Sequence, residues 1–160
     1  MGLTVVSNST PIIALAKINR IDMLRELFGT ITIPEAVYDE VSDDGKNRAG
    51  SSEVSDSEWI IMKQVHNRTA VDFLLVSVDL GEAEAIALAK ESDADLLLID
   101  DRAGRRISES VGLAITGTIG VLLRYYHGNP RAFKQSLDEL IANGFRIGKA
   151  EYTNIIKLAK

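Results

Sequence analysis

The sequence contains no cysteine, only two histidines and no long apolar run. The lack of cysteine excludes disulfides, thiolate nucleophiles and zinc-thiolate sites, so any chemistry must use oxygen and nitrogen groups. No stretch of about 18 apolar residues is available to span a bilayer, and no basic segment or cleavage site precedes the first apolar stretch. We therefore expect a cytoplasmic protein without membrane association.

The charge balance argues against long-range attraction to nucleic acid. The 160 residues include 18 basic and 23 acidic side chains, a net charge of −5. A nucleic-acid role must therefore depend on a local site, where a bridging cation can reverse the sign of the charge. A hydrophobic share of 46% and a charged share of 26% are typical of a globular protein, and the length suits one domain, 1–160.

Short apolar runs alternate with helix-forming segments along the chain. The runs predict strands at 3–7, 30–34, 59–65, 95–99 and 113–116. Helices are predicted at 12–18, 21–28, from Pro34 onwards, and at 68–75, 79–91, 102–110, 116–127, 130–143 and 151–158. The polar segment 42–58 reads as an exposed loop or a partly ordered excursion, and not as a domain linker. Strands that alternate with helices favour an α/β sandwich around a mainly parallel sheet.

Three separate parts of the chain offer acidic side chains near one edge of that sheet. The carboxyl ends of parallel strands form the usual ligand crevice. The polar residues placed there are Asn8 after the first strand, Glu40 on an early helix, Glu82 and Glu84 at the start of the 79–91 helix, and Asp100 and Asp101 after the fourth strand. We therefore expect several carboxylates to converge on one site.

Such a cluster favours a divalent cation. Two like charges about 4 Å apart repel by about 4 kcal/mol at an effective dielectric near 20. Magnesium and manganese take oxygen ligands, so an Asp/Glu cluster without His or Cys favours these metals over zinc. Such an ion polarises phosphate oxygens and activates water, and phosphodiester hydrolysis requires both effects.

Each acidic residue also has a purely structural interpretation. Glu82 and Glu84 suit the first turns of a helix on dipole grounds alone. Asp100 suits the N-cap of the following helix. Glu40 could form a helical pair with a cation, although no Lys or Arg stands three or four positions from it. A metal site is favoured only when these acidic residues are taken together, because all of them are expected near the same edge of the sheet.

Five stretches, in this order, resemble the PIN-domain family of metal-dependent ribonucleases. They are "VVSNSTPIIALAKINRIDML", "IPEAVYDEV", "LGEAEAIALAKE", "ADLLLIDDRAGRRISESVGL" and "TGTIGVLL". The likeness is closest to a branch of small single-domain prokaryotic proteins. It implies a three-layer α/β/α sandwich, magnesium or manganese at an acidic cleft, and cleavage of RNA. Many relatives are toxins held inactive by an antitoxin, and many form homodimers.

The resemblance also assigns the site residues. The family's first aspartate falls on Asn8, its helical glutamate on Glu40, its third acid on Glu82 or Glu84, and its fourth on Asp100, with Asp101 adjacent. We expect metal ligation by Asn8, Glu40, Glu84 and Asp100. Substrate contacts are expected from Ser9, Thr116, Thr118, Arg102 and Arg105, with Thr10 and Arg106 nearby. The arginines suit phosphate or an acidic partner, and equally suit solvated helix charges.

Asn8 is the one departure from the family pattern. An amide oxygen still ligates a cation, but it is uncharged and weaker than a carboxylate. A weak natural enzyme, a binding protein that has lost activity, and a deliberately replaced aspartate all agree with it. The prediction is a metal-dependent endoribonuclease, the toxin of a toxin–antitoxin pair. The main alternative is an inactive PIN-fold module that binds RNA or protein.

A phosphoacceptor signalling domain also clusters aspartates at the ends of parallel strands around magnesium. It places its acidic pair after the first strand, where this chain has only Asn8. The pair Asp100 and Asp101 comes late in the chain, which disfavours this class.

Overall fold

A five-stranded sheet forms the centre of the computed structural model, which describes residues 2–42 and 48–160. The strands are β1 (Val5–Ser7), β2 (Ile31–Pro34), β3 (Ile60–Lys63), β4 (Leu96–Leu98) and β5 (Ile115–Thr116). Their order is β3-β2-β1-β4-β5, and every adjacent pair is parallel. The prediction of a mainly parallel sheet is confirmed, and all five predicted strands form.

Helices cover both faces of this sheet. They are α1 (Ser9–Lys17), α2 (Asp22–Phe28), α3 (Glu35–Ser42), α4 (Ser51–Asp56), α5 (Arg68–Leu74), α6 (Leu80–Glu91), α7 (Arg102–Ser110), α8 (Thr118–Tyr125), α9 (Pro130–Ala142) and α10 (Lys149–Leu158). The larger apolar cluster joins the sheet to α1, α2, α3, α4, α8, α9 and α10. The smaller one joins it to α5, α6 and α7. The three-layer α/β/α sandwich is therefore confirmed.

Successive residues of the central strands supply the two apolar clusters in turn. Val5 and Leu98 lie in the larger cluster, whereas Val6 and Leu97 lie in the smaller one. Side chains alternate between the faces of a strand, so a run that is apolar at every position belongs to a strand covered on both sides. This is why "LLLI" predicts a central strand correctly.

The register of β1 against β4 places their carboxyl ends together. Ser7 pairs with Leu98, and the Asn8 backbone N–H donates to the Leu98 carbonyl at 2.9 Å. Asn8 and Asp100 therefore leave neighbouring strands at the same edge of the sheet.

Segment 42–58 was expected to be an exposed loop or a partly ordered excursion, and the structure has the short helix α4 within it. Residues 43–47 of that segment lie outside the described residues. In α4 only Val54 is buried, at 4% exposure, and it packs into the larger apolar cluster. One apolar residue in six gives no helical periodicity, so the sequence pattern does not reveal this helix. None of the helices in the described ranges combines the length and apolarity needed to cross a membrane.

Candidate active site

A cleft of about 1250 Å³ opens at the carboxyl ends of the central strands. Its lining includes the acidic side chains Glu40, Asp79, Glu82, Asp100 and Asp101, together with Asn8. Four of the five carboxylates were predicted from sequence to converge, and they come from α3, α6 and the end of β4. The structure therefore brings distant parts of the chain to one negatively charged cleft.

Asn8 presents an unused oxygen in this cleft. It occupies the N-cap position of α1, yet its side chain makes no capping hydrogen bond. Its exposure is only 4%, and its Oδ1 has no hydrogen-bond partner among the residues that the structure describes. A buried polar atom without a partner is costly in a folded protein. The amide oxygen is therefore an available ligand atom at the predicted position.

Glu40 lies close to Asn8 and is held by Ser9. The Ser9 hydroxyl donates to Glu40 Oε2 at 2.9 Å. A Cβ added at Gly81 would overlap Glu40 Oε1 and would lie 3.6 Å from Asn8 Oδ1. The glycine in the first turn of α6 therefore leaves the space in which the carboxylate of α3 approaches the end of β1.

Glu82 is the acid of α6 that faces the cleft. Glu82 is 9% exposed, and its Oε2 accepts no hydrogen bond from an N–H or O–H group of the described residues. Burial, followed by hydrogen bonding of the protonated form with Asp101 and Asp79, raises its pKa to about 9. The carboxyl group is consequently neutral at pH 7, which reduces repulsion among the clustered acids.

Asp100 is anchored at the N-terminus of α8. Its Oδ1 accepts the Thr118 N–H at 2.8 Å, and its Oδ2 accepts the Thr118 hydroxyl at 2.6 Å. Burial raises the pKa of Asp100 above its usual value, although the Thr118 hydrogen bonds and the positive charge of Arg105 oppose the shift. Thr118 was expected to contact substrate. The structure corrects this expectation, because its hydroxyl is fully buried and is used by Asp100.

Asp101, and not Asp100, is the N-cap residue of α7. Its Oδ2 accepts the Gly104 N–H at 2.9 Å, and this hydrogen bond is the main reason why its pKa is lowered. The capping interpretation of Asp100 was therefore wrong by one position. Both carboxylates line the cleft, Asp101 as an exposed helix cap and Asp100 as a half-buried group.

Glu84 does not face the cleft, contrary to its expected place among the metal ligands. Its side chain is 5% exposed, and its Oε1 accepts the Ala36 N–H at 2.9 Å. Its Oε2 accepts from Arg68 Nη1 at 2.8 Å. Both oxygens are thus used in joining α6 to α3 and α5. The choice between Glu82 and Glu84 falls on Glu82 because the two side chains leave opposite sides of the helix.

The other residues that were expected to contact substrate all line the cleft, and Ser9 differs from the rest because its hydroxyl is already used. Thr10, Thr116, Arg102, Arg105 and Arg106 line the cleft. Arg105 Nη1 also donates to the Ile99 carbonyl at 3.4 Å. Ser9 lines the cleft too, but its hydroxyl is bonded to Glu40 and holds that carboxylate in place.

Five charged residues of the cleft were not predicted from the sequence: Arg48, Asp79, Glu109, Arg146 and Glu151. Asp79 caps α6, where its Oδ1 accepts the Glu82 N–H at 2.9 Å, and the D-x-x-E spacing of a capping box is the signal that points to it. Arg48 and Arg146 also line the cleft. They come from polar connections far from the acidic motifs, and no local pattern marks them.

The donor atoms of the cleft suit magnesium or manganese in kind. They are carboxylate and amide oxygens, and two of them, Asn8 Oδ1 and Glu82 Oε2, are buried and accept no hydrogen bond from the N–H and O–H groups of the described residues. Within the described parts of the chain, however, no three Asp, Glu, His or Cys side chains form a ready-made ion-binding group. The residues therefore fit this class of ion in the chemistry of their donor atoms.

The fold is a parallel α/β/α sandwich with acidic residues at adjacent strand ends. A family model described as a PIN domain matches residues 4–160. The chain therefore belongs to the PIN-domain family, whose members are generally nucleases that use divalent metal ions. No curated protein and no solved structure matches the chain significantly.

Proposed function

We propose that the chain is a magnesium- or manganese-dependent endoribonuclease with low activity. The observation that carries the proposal is the convergence of Glu40, Glu82, Asp100 and Asp101 with Asn8 in one cleft. A site of this kind needs a divalent cation to offset like charges that would otherwise repel.

Asn8, Glu40, Glu82 and Asp100 would hold the ion. When bound, it would polarise the phosphate oxygens and activate water for attack. The chain's own groups set the geometry: Ser9 orients Glu40, and Thr118 orients Asp100. The neutral form of Glu82 must give up its proton before its oxygens bind a cation strongly.

Asn8 explains why the proposed activity is low. An aspartate at this position would add a negative charge among the buried donors, whereas the amide supplies only a dipole. The biological setting proposed is that of a cytoplasmic toxin, paired with an antitoxin protein and active as a homodimer.

The second candidate is a PIN-fold module that binds RNA or protein without catalysis. Asn8 is the observation that favours it, since a single uncharged residue at the first acidic position weakens the cation site. The two candidates share the fold and the cleft, and differ only in whether the site completes a cleavage step.

Restoring the carboxylate discriminates between them. Wild type, Asn8→Asp and Asn8→Asp/Asp100→Asn are each incubated with labelled single-stranded RNA and Mn²⁺. The nuclease proposal expects cleavage to rise at least about tenfold in Asn8→Asp and to vanish in the double variant. Thermal melting of all three proteins controls for folding. Absence of cleavage in both wild type and Asn8→Asp rejects the nuclease and leaves the binding module.

A further inference from the structure

Arg105 differs from the other two arginines of α7 because its side chain is half-buried. Its Nη1 donates to the Ile99 carbonyl at 3.4 Å, directly after the end of β4. Arg102 and Arg106 line the same cleft and are exposed to solvent. The guanidinium group of Arg105 is therefore held against the wall of the cleft, whereas its two neighbours extend into water.

The missing side chain at Gly117 allows this guanidinium group to approach Asp100. Gly117 is the N-cap residue of α8. A Cβ added there would lie 2.5 Å from Asp100 Oδ1 and 2.7 Å from Arg105 Nη1. Both polar atoms thus border the same small space ahead of α8. A residue with a side chain at this position would push the carboxylate and the guanidinium group apart.

Arg105 acts on Asp100 through its charge and not through a direct ion pair. Among the described residues, no acid forms an ion pair with Arg105. Both oxygens of Asp100 accept hydrogen bonds from Thr118. The positive charge of Arg105 nevertheless lowers the pKa of Asp100, against the larger upward effect of burial. A guanidinium group stays charged at any ordinary pH, so Asp100 always has a positive neighbour.

The same positive charge lies next to the proposed cation ligands. Asp100 is one of these ligands. Two others, Asn8 Oδ1 and Glu82 Oε2, are buried and accept no hydrogen bond from the N–H and O–H groups of the described residues. A divalent ion held by Asp100 would have Arg105 as a neighbour of like charge, and like charges repel. Arg105 therefore offsets the charge of Asp100 at the expense of cation binding.

From this geometry we propose that Arg105 is a positioning residue, which supplies the counter-charge of Asp100 in the cation-free protein and weakens the binding of a divalent cation. The inference rests on the proposed function and deepens it, because it states how the chain itself limits cation binding at that site. Arg105 was expected to contact substrate, and the proposal assigns its charge to an acid of the protein instead.

The proposal predicts that removal of one charge has two opposite effects. Without Arg105, the cation-free protein loses an attraction and should be less stable. The same change removes a repulsion, so a divalent cation should bind more tightly. A residue that serves only in packing would not produce a gain in cation affinity.

The first measurement is a double-mutant cycle in EDTA. Urea unfolding is followed for wild type, Arg105→Gln, Asp100→Asn and the double variant. Arg105→Gln should lower the unfolding midpoint of wild type, and the loss should be less than about half as large in the Asp100→Asn background. Equal losses in the two backgrounds would mean that Arg105 acts only through packing or its hydrogen bond to Ile99, and this would overturn the proposal.

Arg105→Lys is the conservative variant for the same measurement. It keeps the positive charge and loses the planar guanidinium group. Its unfolding midpoint in EDTA should lie closer to that of wild type than the midpoint of Arg105→Gln does. A lysine variant no more stable than the glutamine variant would show that the charge is not what stabilises the protein, and the proposal would fail.

The second measurement is the affinity for Mn²⁺, obtained from the paramagnetic resonance signal of the free ion. It needs neither RNA nor cleavage. Arg105→Gln should bind Mn²⁺ about tenfold more tightly than wild type, since a single and a double positive charge no longer repel. Arg105→Lys should stay within about threefold of wild type because it keeps the charge. Unchanged or weaker binding by Arg105→Gln would overturn the proposal.

Arg106→Gln is the matched control for the affinity measurement. It removes an equal charge from the next position of α7, but that side chain is exposed and screened by water and salt. Its affinity for Mn²⁺ should change by less than about twofold. A gain as large as that of Arg105→Gln would mean that the overall charge of the cleft matters and not the place of Arg105, which would also overturn the proposal.

These results are separable from those of the cleavage assay. Tighter Mn²⁺ binding by Arg105→Gln, together with no cleavage by Asn8→Asp, would keep the role of Arg105 and reject the nuclease. Cleavage by Asn8→Asp, together with a Mn²⁺ affinity that does not depend on Arg105, would do the reverse. Failure of every variant to bind Mn²⁺ would overturn both.

Discussion

Asp100 and Thr118 form a two-point contact, in which the carboxylate accepts both the backbone N–H and the hydroxyl of the same residue, at 2.8 and 2.6 Å. The contact fixes an acid at the end of β4 to the start of α8. Thr118→Val preserves the shape but removes the hydroxyl donor, so it should destabilise the protein by about 1–3 kcal/mol. Urea denaturation measures this loss.

Thr118→Ser is the matched control for that substitution. It keeps the hydroxyl and loses only a buried methyl group, so the unfolding midpoint should stay closer to that of wild type than the valine variant does. Equal midpoints for the serine and valine variants would show that the hydroxyl contributes no stability.

Glu84 should matter for stability, because it joins three helices instead of facing the cleft. Glu84→Ala leaves the Ala36 N–H without its buried acceptor, whereas the half-exposed Arg68 recovers water. We expect a loss of about 1–3 kcal/mol in the free energy of unfolding. Glu84→Gln retains an oxygen acceptor for Ala36 and should recover part of the loss. The idea is wrong if alanine and glutamine variants both unfold like wild type.

Gly81→Ala should impair the site without unfolding the protein. The new methyl group would overlap Glu40 Oε1, the end of a flexible side chain that can move aside, and alanine is the better helix former. In an Asn8→Asp background, cleavage with Mn²⁺ should fall at least about tenfold while the melting temperature holds or rises. Gly148→Ala, where a Cβ meets nothing within 4 Å, is the control. Full activity in Gly81→Ala would remove Glu40 from the proposed site.

Because the pKa of Glu82 is raised in the native state, we expect the free energy of unfolding to fall as pH rises. The pKa of this residue changes from 4.5 in the unfolded chain to about 9 in the native state, so between these values the native state binds more protons. Stability should therefore decrease through this window, by at most about 1.4 kcal/mol per pH unit. Glu82→Gln should flatten the dependence when melting is followed from pH 5 to 9 in EDTA.

Asp72→Asn, which neutralises an exposed carboxylate on α5, is the control for the pH series. It should reproduce the wild-type pH dependence. A wild-type protein whose melting temperature rises steadily from pH 5 to 9 would contradict the prediction.

Manganese should stabilise the native state by mass action. A cation at ten times its dissociation constant adds about 1.4 kcal/mol, equivalent to about 3–5 °C for a chain of this size. Wild type should show a smaller rise than Asn8→Asp at the same millimolar concentration, and EDTA should reverse both. If the melting temperature of Asn8→Asp does not respond to manganese, the cation site is rejected.

The sheet and most helices could be predicted because their patterns are local. The unbroken apolar run before Asp100 predicts a strand buried on two faces, and the family likeness places Asn8 and Glu40 beside it. Which acid of α6 faces inward could not be predicted. Glu82 and Glu84 are two residues apart, about 200° around the helix. Residues 81–89 are all buried, so no polar side of α6 indicates its orientation.

The arginines of the cleft were only partly predictable for a related reason. Arg102, Arg105 and Arg106 follow the acidic pair directly in sequence, and this proximity marks them. Arg48 and Arg146 lie outside the helices and strands of the described residues, and they reach the cleft only through tertiary folding. Residues that are distant in sequence and meet only in the folded chain have no characteristic spacing, so no sequence pattern reveals them.

The last helix of the described chain also reaches the cleft, and this bears on how the protein is handled. Leu158 of α10 lines the cleft with 71% of its surface exposed, together with Ile155 and Glu151. An affinity tag joined after Lys160 would start two residues from that wall and would crowd the entrance during binding assays. A tag ahead of β1 would extend from the opposite edge of the sheet, so purification handles belong there.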